Sequence, residues 1–274
     1  MSSPAPQENS PRITVRRDRR DAETRVAWIT VENERRLNVL NSSLMTEFAE
    51  RVEALAGDES LRAVVLTGAG TKAFIGGADI NEMARLTPAS GRAFITLVHR
   101  CCDALRNLPV PVIARIGGYT FGAGLEIAAA CDLRIASDSA SFGMPEVKRG
   151  IPSVVEAALL PALIGWGRTR QLLLLGETIT SSEAVQWGLV ERVVPGPHGA
   201  LDAAVEGWIA SLLQAGPRAI RLQKKLIRSW EDLPLSAAVR AGVDAFEAAW
   251  ETDEPRRLME EFLNRRASKD SGGS

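Results

Sequence analysis

The sequence predicts an α/β protein in which helices cover a sheet, and three observations carry that prediction. A strand, a glycine-rich turn and a helix follow one another twice between residues 61 and 137. The run LRAVVL at 61–66 reads as a buried strand. Beyond Val194 the texture turns helical, with no convincing strand from 199 to 266.

Taken in order, residues 1–12 form a polar, flexible lead without an apolar stretch of the kind a secretory signal needs. Asp18, Asp21 and Glu23 among the following arginines argue against a mitochondrial presequence. ITVRR (13–17) and RVAWITVE (25–32) are β-branched runs that predict two strands, possible partners of one another. A loop follows. Leu44, Phe48, Val52 and Leu55 recur every three to four residues and mark one face of a helix over 43–56, ended by Gly57. After the strand at 61–66, TGAGTKAFIGGADI is a tight backbone feature, and 78–108 is mostly helical. PVIARI (111–116), the glycine turn GGYTFGAG, the short apolar helix LEIAAACD and the strand DLRIAS repeat the pattern. Gly216-Pro217 and Leu233-Pro234 divide the helices of the last quarter. The organisation read from this is a core over 13–197, a helical region over 198–266 and a loose tail over 267–274.

Composition excludes several classes. At 274 residues, 45% apolar and 24% charged, the chain has the make-up of a globular protein rather than a disordered or fibrous one. No apolar run approaches the roughly 20 residues that span a bilayer. With 33 basic and 34 acidic residues, no global field recruits nucleic acid or anionic lipid. Cys101, Cys102 and Cys131 form no CxxC, which suggests neither a disulfide framework nor a thiolate metal site and fits a reducing, cytoplasmic setting.

Histidine is scarce: His99 lies on a predicted helix and His198 in a polar loop, which leaves a Ser-His-Asp arrangement poorly supplied. No GxSxG, HExxH or GxxxxGK[ST] occurs. GAGTKA at 68–73 matches GxGxxG/A after a strand, but Gly76-Gly77 interrupt the place where a dinucleotide-binding helix should open. Acid-base work therefore falls to carboxylates. Glu126 lies in GAGLEIAAA, where nothing else is polar; burial would raise its pKa toward the range useful for proton transfer, and a structural pair with an arginine is the equal alternative. Glu146, after Pro145 in FGMPEV, is a second candidate. Glu156, in SVVEAALL, is a third, with a helix face at a domain or subunit contact as the stronger alternative. The backbone N–H groups of Ile75 and Ala123 sit in the two glycine turns, the latter at a helix start, and can act as paired oxyanion donors unless both turns are merely tight loops.

As a set, KAFIGGADINEM (72–83), PVIARIGGYTFGAGLE (111–126), Cys131-Asp132, FGMPE (142–146) and Asn38-Val-Leu-Asn41 resemble the crotonase, or enoyl-CoA hydratase/isomerase, superfamily over about 13–266. The resemblance implies a spiral of repeated ββα units, a C-terminal helical region that joins subunits, and a homotrimer or a dimer of trimers. It implies acyl-CoA thioester substrates and no metal or other cofactor, CoA being part of the substrate. Ile75 and Ala123 map onto the oxyanion donors, Ile75, Gly76, Gly77 and Ala78 onto the CoA-lining loop, and Glu126 and Glu146 onto both hydratase carboxylates. Phe262 and Arg265 resemble the place where an aromatic and a basic residue meet the nucleotide end of CoA, and Arg35 and Arg36 are further phosphate candidates beside a plain solvated surface. Retention of both carboxylates favours an enoyl-CoA hydratase-like lyase; an isomerase, a thioester hydrolase and a silent CoA-binding scaffold are the rivals. SVVEAALL departs from the glycine-rich stretch of many hydratases and points to an altered acyl pocket.

Overall fold

The computed structural model describes residues 10–196 and 199–271, so His198 and the ends of the expected lead and tail lie outside the described residues. The first two β-branched runs form β1 (Arg12–Arg19) and β2 (Arg25–Glu32), paired antiparallel along their full length. α1 (Ser42–Glu53) opens at Asn41, whose side chain accepts the Leu44 N–H, and turns Leu44, Phe48 and Val52 into the core.

From there each repeat supplies one strand to each of two sheets. β3 (Leu61–Gly68) enters the larger sheet and β4 (Ala73–Ile75) the smaller, followed by α2 (Ile80–Met83) and α3 (Pro88–Asn107). β5 (Val112–Ile116) and β6 (Tyr119–Phe121) repeat the step and lead into α4 (Ala123–Ala130). β7 (Leu133–Ser137) and β8 (Ser141–Gly143) repeat it again and lead through two short 3-10 turns to α5 (Leu160–Leu175). β9 (Thr178–Thr180), α6 (Ser181–Trp187) and β10 (Arg192–Val194) complete the sheets. The larger sheet has the order β1-β2-β3-β5-β7-β10, parallel from β2 onward; the smaller has the order β4-β6-β8-β9, with β4, β6 and β8 parallel.

Both faces of the larger sheet are covered. Along β3, Leu61, Val64 and Leu66 join the main core with α1, α3 and α4, while Ala63 and Val65 point the other way. There they meet Leu201, Ala204, Val205 and Ile209 of α7 (Gly199–Gln214), the first helix of the expected 198–266 region, which by packing seals the sheet. Burial on both sides is why LRAVVL shows no polar alternation.

Three expectations are corrected. The helix expected over 78–108 is two pieces, because Pro88 starts a helix at its N1 position and the preceding Thr87 is extended (φ −95°, ψ 169°) and caps it. Three-residue strands occupy the segments read as glycine turns, so the GxGxxG-like stretch leads into β4 and not into a helix. The tail expected from 267 stays helical through Ser271.

α8 (Pro217–Trp230) is anchored by buried Lys224, whose Nζ donates to Leu105 O (3.2 Å), Val110 O (2.9 Å) and Asp132 Oδ2 (2.7 Å). α9 (Leu235–Ala249) and α10 (Glu254–Ser271) follow and leave Leu235, Val239, Val243, Phe246, Met259, Phe262 and Leu263 exposed. Among the described residues no helix is long and apolar enough to cross a membrane.

Candidate active site

Since β4, β6 and β8 are parallel neighbours, the turns that leave them lie side by side. Ligand sites of α/β proteins form at such carboxyl ends. β4 ends at Ile75 before Gly76 and Gly77; β6 ends before Gly122 and the first residue of α4, Ala123; β8 ends before Met144, Pro145 and Glu146. Three successive repeats thus deliver the two amides and one of the two carboxylates read from the sequence.

Glycine is required twice here. Gly122 has φ +53° and ψ −124°, and a Cβ on it would lie 2.5 Å from Glu146 Oε1, so the Glu146 carboxylate stands over its Cα. A Cβ on Gly124 would fall inside the Ile75 carbonyl, 2.8 Å from its carbon. The start of α4 is therefore pressed onto the end of β4, with both Ile75 and Ala123 buried.

The loop after Ile75 is clamped from the other side. Gly76 N–H donates to Leu37 O (2.8 Å), Leu40 N–H to Gly77 O (2.9 Å) and Asp79 N–H to Leu40 O (2.8 Å), and Ala78 bridges Leu40. Leu37 and Asn38 hold left-handed backbone to make this run fit (φ 55° and 56°). Asn38 is fully buried: its Nδ2 donates to Ala69 O and Ala73 O (both 2.9 Å) and its Oδ1 accepts Asn33 N–H (3.0 Å). Arg36 pairs with Asp79 through two hydrogen bonds (2.9 and 3.0 Å), and Arg35 stands exposed next to it. Asn38→Ala removes the partner of the buried Ala73 carbonyl, the part-buried Ala69 carbonyl and the Asn33 N–H, and is expected to lower stability by about 2–4 kcal/mol, a fall in the thermal midpoint of roughly 5–10 °C. A melt superimposable on that of the parent protein would show that the clamp contributes nothing.

Glu126 lies one turn into α4, its N–H bonded to Gly122 O (3.0 Å), and is only 4% exposed. Its Oε1 accepts the Ala157 N–H at 3.3 Å, and no lysine or arginine pairs with it among the described residues, which removes the structural ion pair. Burial pushes its pKa up to about 8; the charge of Glu146 adds to the rise, the Ala157 amide opposes it, and the charge of Glu156 adds again. Glu146 is half-buried, its Oε2 accepting the Ser153 hydroxyl at 2.9 Å; burial raises its pKa as well, against its backbone and Ser153 hydrogen bonds. Two carboxyls so placed can divide acid and base roles between them.

Beside Ser153 and Ala157 opens an apolar groove of about 630 Å³, lined also by Val155, Pro161, Trp166 and Leu173. Val155 carries φ +39°, strained for a β-branched residue, as the first residue of the 3-10 turn Val155–Leu159. Glu156 turns inward, where its Oε1 meets His99 Nδ1 of α3 at 2.7 Å. It is thus held by α3, and the groove is lined by its neighbours.

The structure gathers Glu126, Glu146, Ile75, Gly76, Gly77, Ala78 and Ala123. Phe262 and Arg265 stand exposed on α10, Arg265 pairing with Glu261 of that helix, and are not part of this cluster. The sequence reading missed Ser153, the Ala157 amide and the His99 contact. A polar residue seven positions after Glu146 was the one available hint for Ser153; a main-chain donor and a partner 57 residues away leave none.

A spiral that deals successive strands to two sheets and collects carboxylates at the turns of the smaller one is the architecture of a crotonase-type enzyme. Residues 21–270 match the family described as Enoyl-CoA hydratase/isomerase, and the chain belongs to that family. It is 36% identical over 248 residues to a short-chain-enoyl-CoA hydratase of Clostridium acetobutylicum, covering 90% of this chain and 94% of the relative. It is 32% identical over 247 residues, with the same two coverages, to a crotonyl-CoA hydratase of Syntrophomonas wolfei subsp. wolfei. A crystal structure of enoyl-CoA hydratase from Bacillus anthracis superposes with a TM-score of 0.85 at 32% identity, over 92% of this chain and 96% of that one.

Proposed function

We propose that the protein adds water syn across the double bond of an α,β-unsaturated acyl-CoA thioester. The observation that carries this reading is the pair of Glu126, buried in the first turn of α4, and half-buried Glu146, whose carboxylate stands over Gly122 at the start of that helix, in a family whose members named above are hydratases. The Ile75 and Ala123 amides hold the thioester oxygen as it becomes an enolate, each contributing about 3 kcal/mol of barrier lowering on the scale of one oxyanion donor. Glu126 takes a proton from the water whose oxygen bonds to the β-carbon, the π electrons move onto the thioester, and Glu146 delivers a proton to the α-carbon. This is proton and water chemistry, which calls for no metal or redox cofactor.

The loop from Ile75 to Ala78 lines the CoA arm, with Arg35, Phe262 and Arg265 toward its phosphates and nucleotide. The exposed apolar residues of α9 and α10 support subunit joining by the helical region, as a homotrimer or a dimer of trimers. Three buried, unpaired cysteines agree with a cytoplasmic, reducing setting.

The test is a panel of enoyl-CoA thioesters followed by mass spectrometry. Product heavier by one water is the expected result. Unchanged mass with a moved double bond would replace the reading by isomerisation, and free thiol would replace it by thioester hydrolysis.

A further inference from the structure

The hydration just described leaves the site one step from where it began. Glu126 has gained a proton from water and Glu146 has lost one to the α-carbon, so a second turnover requires the first to unload and the second to reload. Glu146 is half-buried and within reach of solvent; Glu126, at 4% exposure, is not.

One group beside Glu126 has unused capacity. Glu156 is 8% exposed, and its Oε2 is buried without a hydrogen-bond partner among the described residues. An orphaned buried carboxylate oxygen is costly to keep, and it has free capacity to receive a proton or a donor. The peptide that follows Glu156 already touches Glu126, through the Ala157 N–H on Glu126 Oε1 at 3.3 Å. The other oxygen, Oε1, lies 2.7 Å from His99 Nδ1, and the His99 side chain is 54% exposed. Glu156 is near enough for its charge to raise the Glu126 pKa, and its contact with His99 leads from that neighbourhood to the surface. The other titratable groups near Glu156 on α3, Cys101 and Cys102, have thiol pKa values that burial pushes up, to about 12 for Cys101. They do not compete for the proton.

We infer that Glu156 and His99 form a proton exit for Glu126. It rests on the hydratase reading above. In each cycle Glu126 gives up the proton it took from water to Glu156 Oε2, the Glu156 carboxyl passes a proton across its contact to His99 Nδ1, and the imidazolium so formed loses its Nε2 proton to bulk. One proton enters the pair and one leaves, and both residues return to their starting charge. Neither touches the substrate; they are relay residues, Glu156 following directly on the strained Val155 and His99 standing on the surface of α3.

The test is steady-state turnover of a crotonyl-type thioester by the full chain in dilute buffer, for the parent protein, His99→Ala, Glu156→Gln and Glu126→Gln. His99→Ala is expected to lose on the order of tenfold in kcat at unchanged KM, less than the 100-fold or more of a group acting in the transition state. Added imidazole, a small carrier that fits where an exposed side chain was removed, should restore that rate, while Glu156→Gln should fall likewise and stay low because its inner link is gone. His99→Ala turning over at the parent rate in dilute buffer, or a loss that imidazole does not restore, would overturn the relay while leaving the hydratase reading intact. No water addition by the parent protein, or full activity in Glu126→Gln, would overturn the hydratase reading itself. Because His99 is a surface side chain, its variant tests the relay even where Glu156→Gln fails to fold.

Discussion

Glu126→Gln is expected to lower kcat on a crotonyl-type thioester by about 100- to 10,000-fold, the usual worth of a positioned acid-base group, with KM little changed. The same substitution is expected to stabilise the protein. A carboxyl whose pKa is about 8 when folded, against an ordinary 4.5, binds its proton more tightly in the folded state. Its favourable contribution is complete below pH 4.5 and is lost as pH rises through 8, where ionisation in a buried site must be endured. Gln escapes that loss. The variant should melt like the parent near pH 4.5 and above it by a margin that grows to pH 8 and beyond, on the order of a few kcal/mol at the plateau. The parent's kcat/KM should climb over the same interval as Glu126 becomes able to accept a proton. Thermal melts at several pH values, run beside the assay, check both halves. Unimpaired turnover, or a variant less stable at every pH, would remove Glu126 from its assigned place.

Much of this was legible in the residues, and what was not has physical reasons. A long apolar run reports burial directly, so β2, β3, β5 and the helix over Leu44 to Val52 were read within a few residues of their bounds. β4, β6, β8, β9 and β10 have three residues each, too few for any period to show, and their pairing is settled by partners from other repeats. Glu126 declared itself because a single charge in an alanine-rich helix has no solvated alternative. Glu156 sat in equally apolar company, yet its fate turned on the left-handed backbone of Val155 and on a histidine on another helix, neither of which local sequence encodes. The Asn38-Val-Leu-Asn41 segment was visible as part of a resemblance, but the three hydrogen bonds of Asn38 that make it a clamp join residues up to 35 positions apart.

Gly124→Ala is the other change expected to have a very large effect, and it adds a single methyl group. That methyl would occupy the space of the Ile75 carbonyl, with the carbonyl carbon at 2.8 Å and the Ile75 Cβ at 3.0 Å. The obstacle is backbone, and backbone inside a sheet cannot rotate aside as a long side chain does. Relief requires α4 to withdraw from β4, which carries the Ala123 amide away from the Ile75 amide and turns Glu126 with it. Loss of one oxyanion donor alone costs about 100- to 1,000-fold in kcat, and here the spacing of both is broken. The loop of Gly76 to Ala78 is held independently by the Leu37–Leu40 run, so the fall should appear in kcat far more than in KM. Gly207→Ala in α7 is the matched control: a Cβ there meets nothing within 4 Å, and exchange of a mid-helix glycine should stabilise by up to about 1 kcal/mol without touching turnover. A folded Gly124→Ala protein that retains the parent kcat would show that the closeness of β4 and α4 serves packing alone, and the paired-amide account of enolate stabilisation would have to be abandoned.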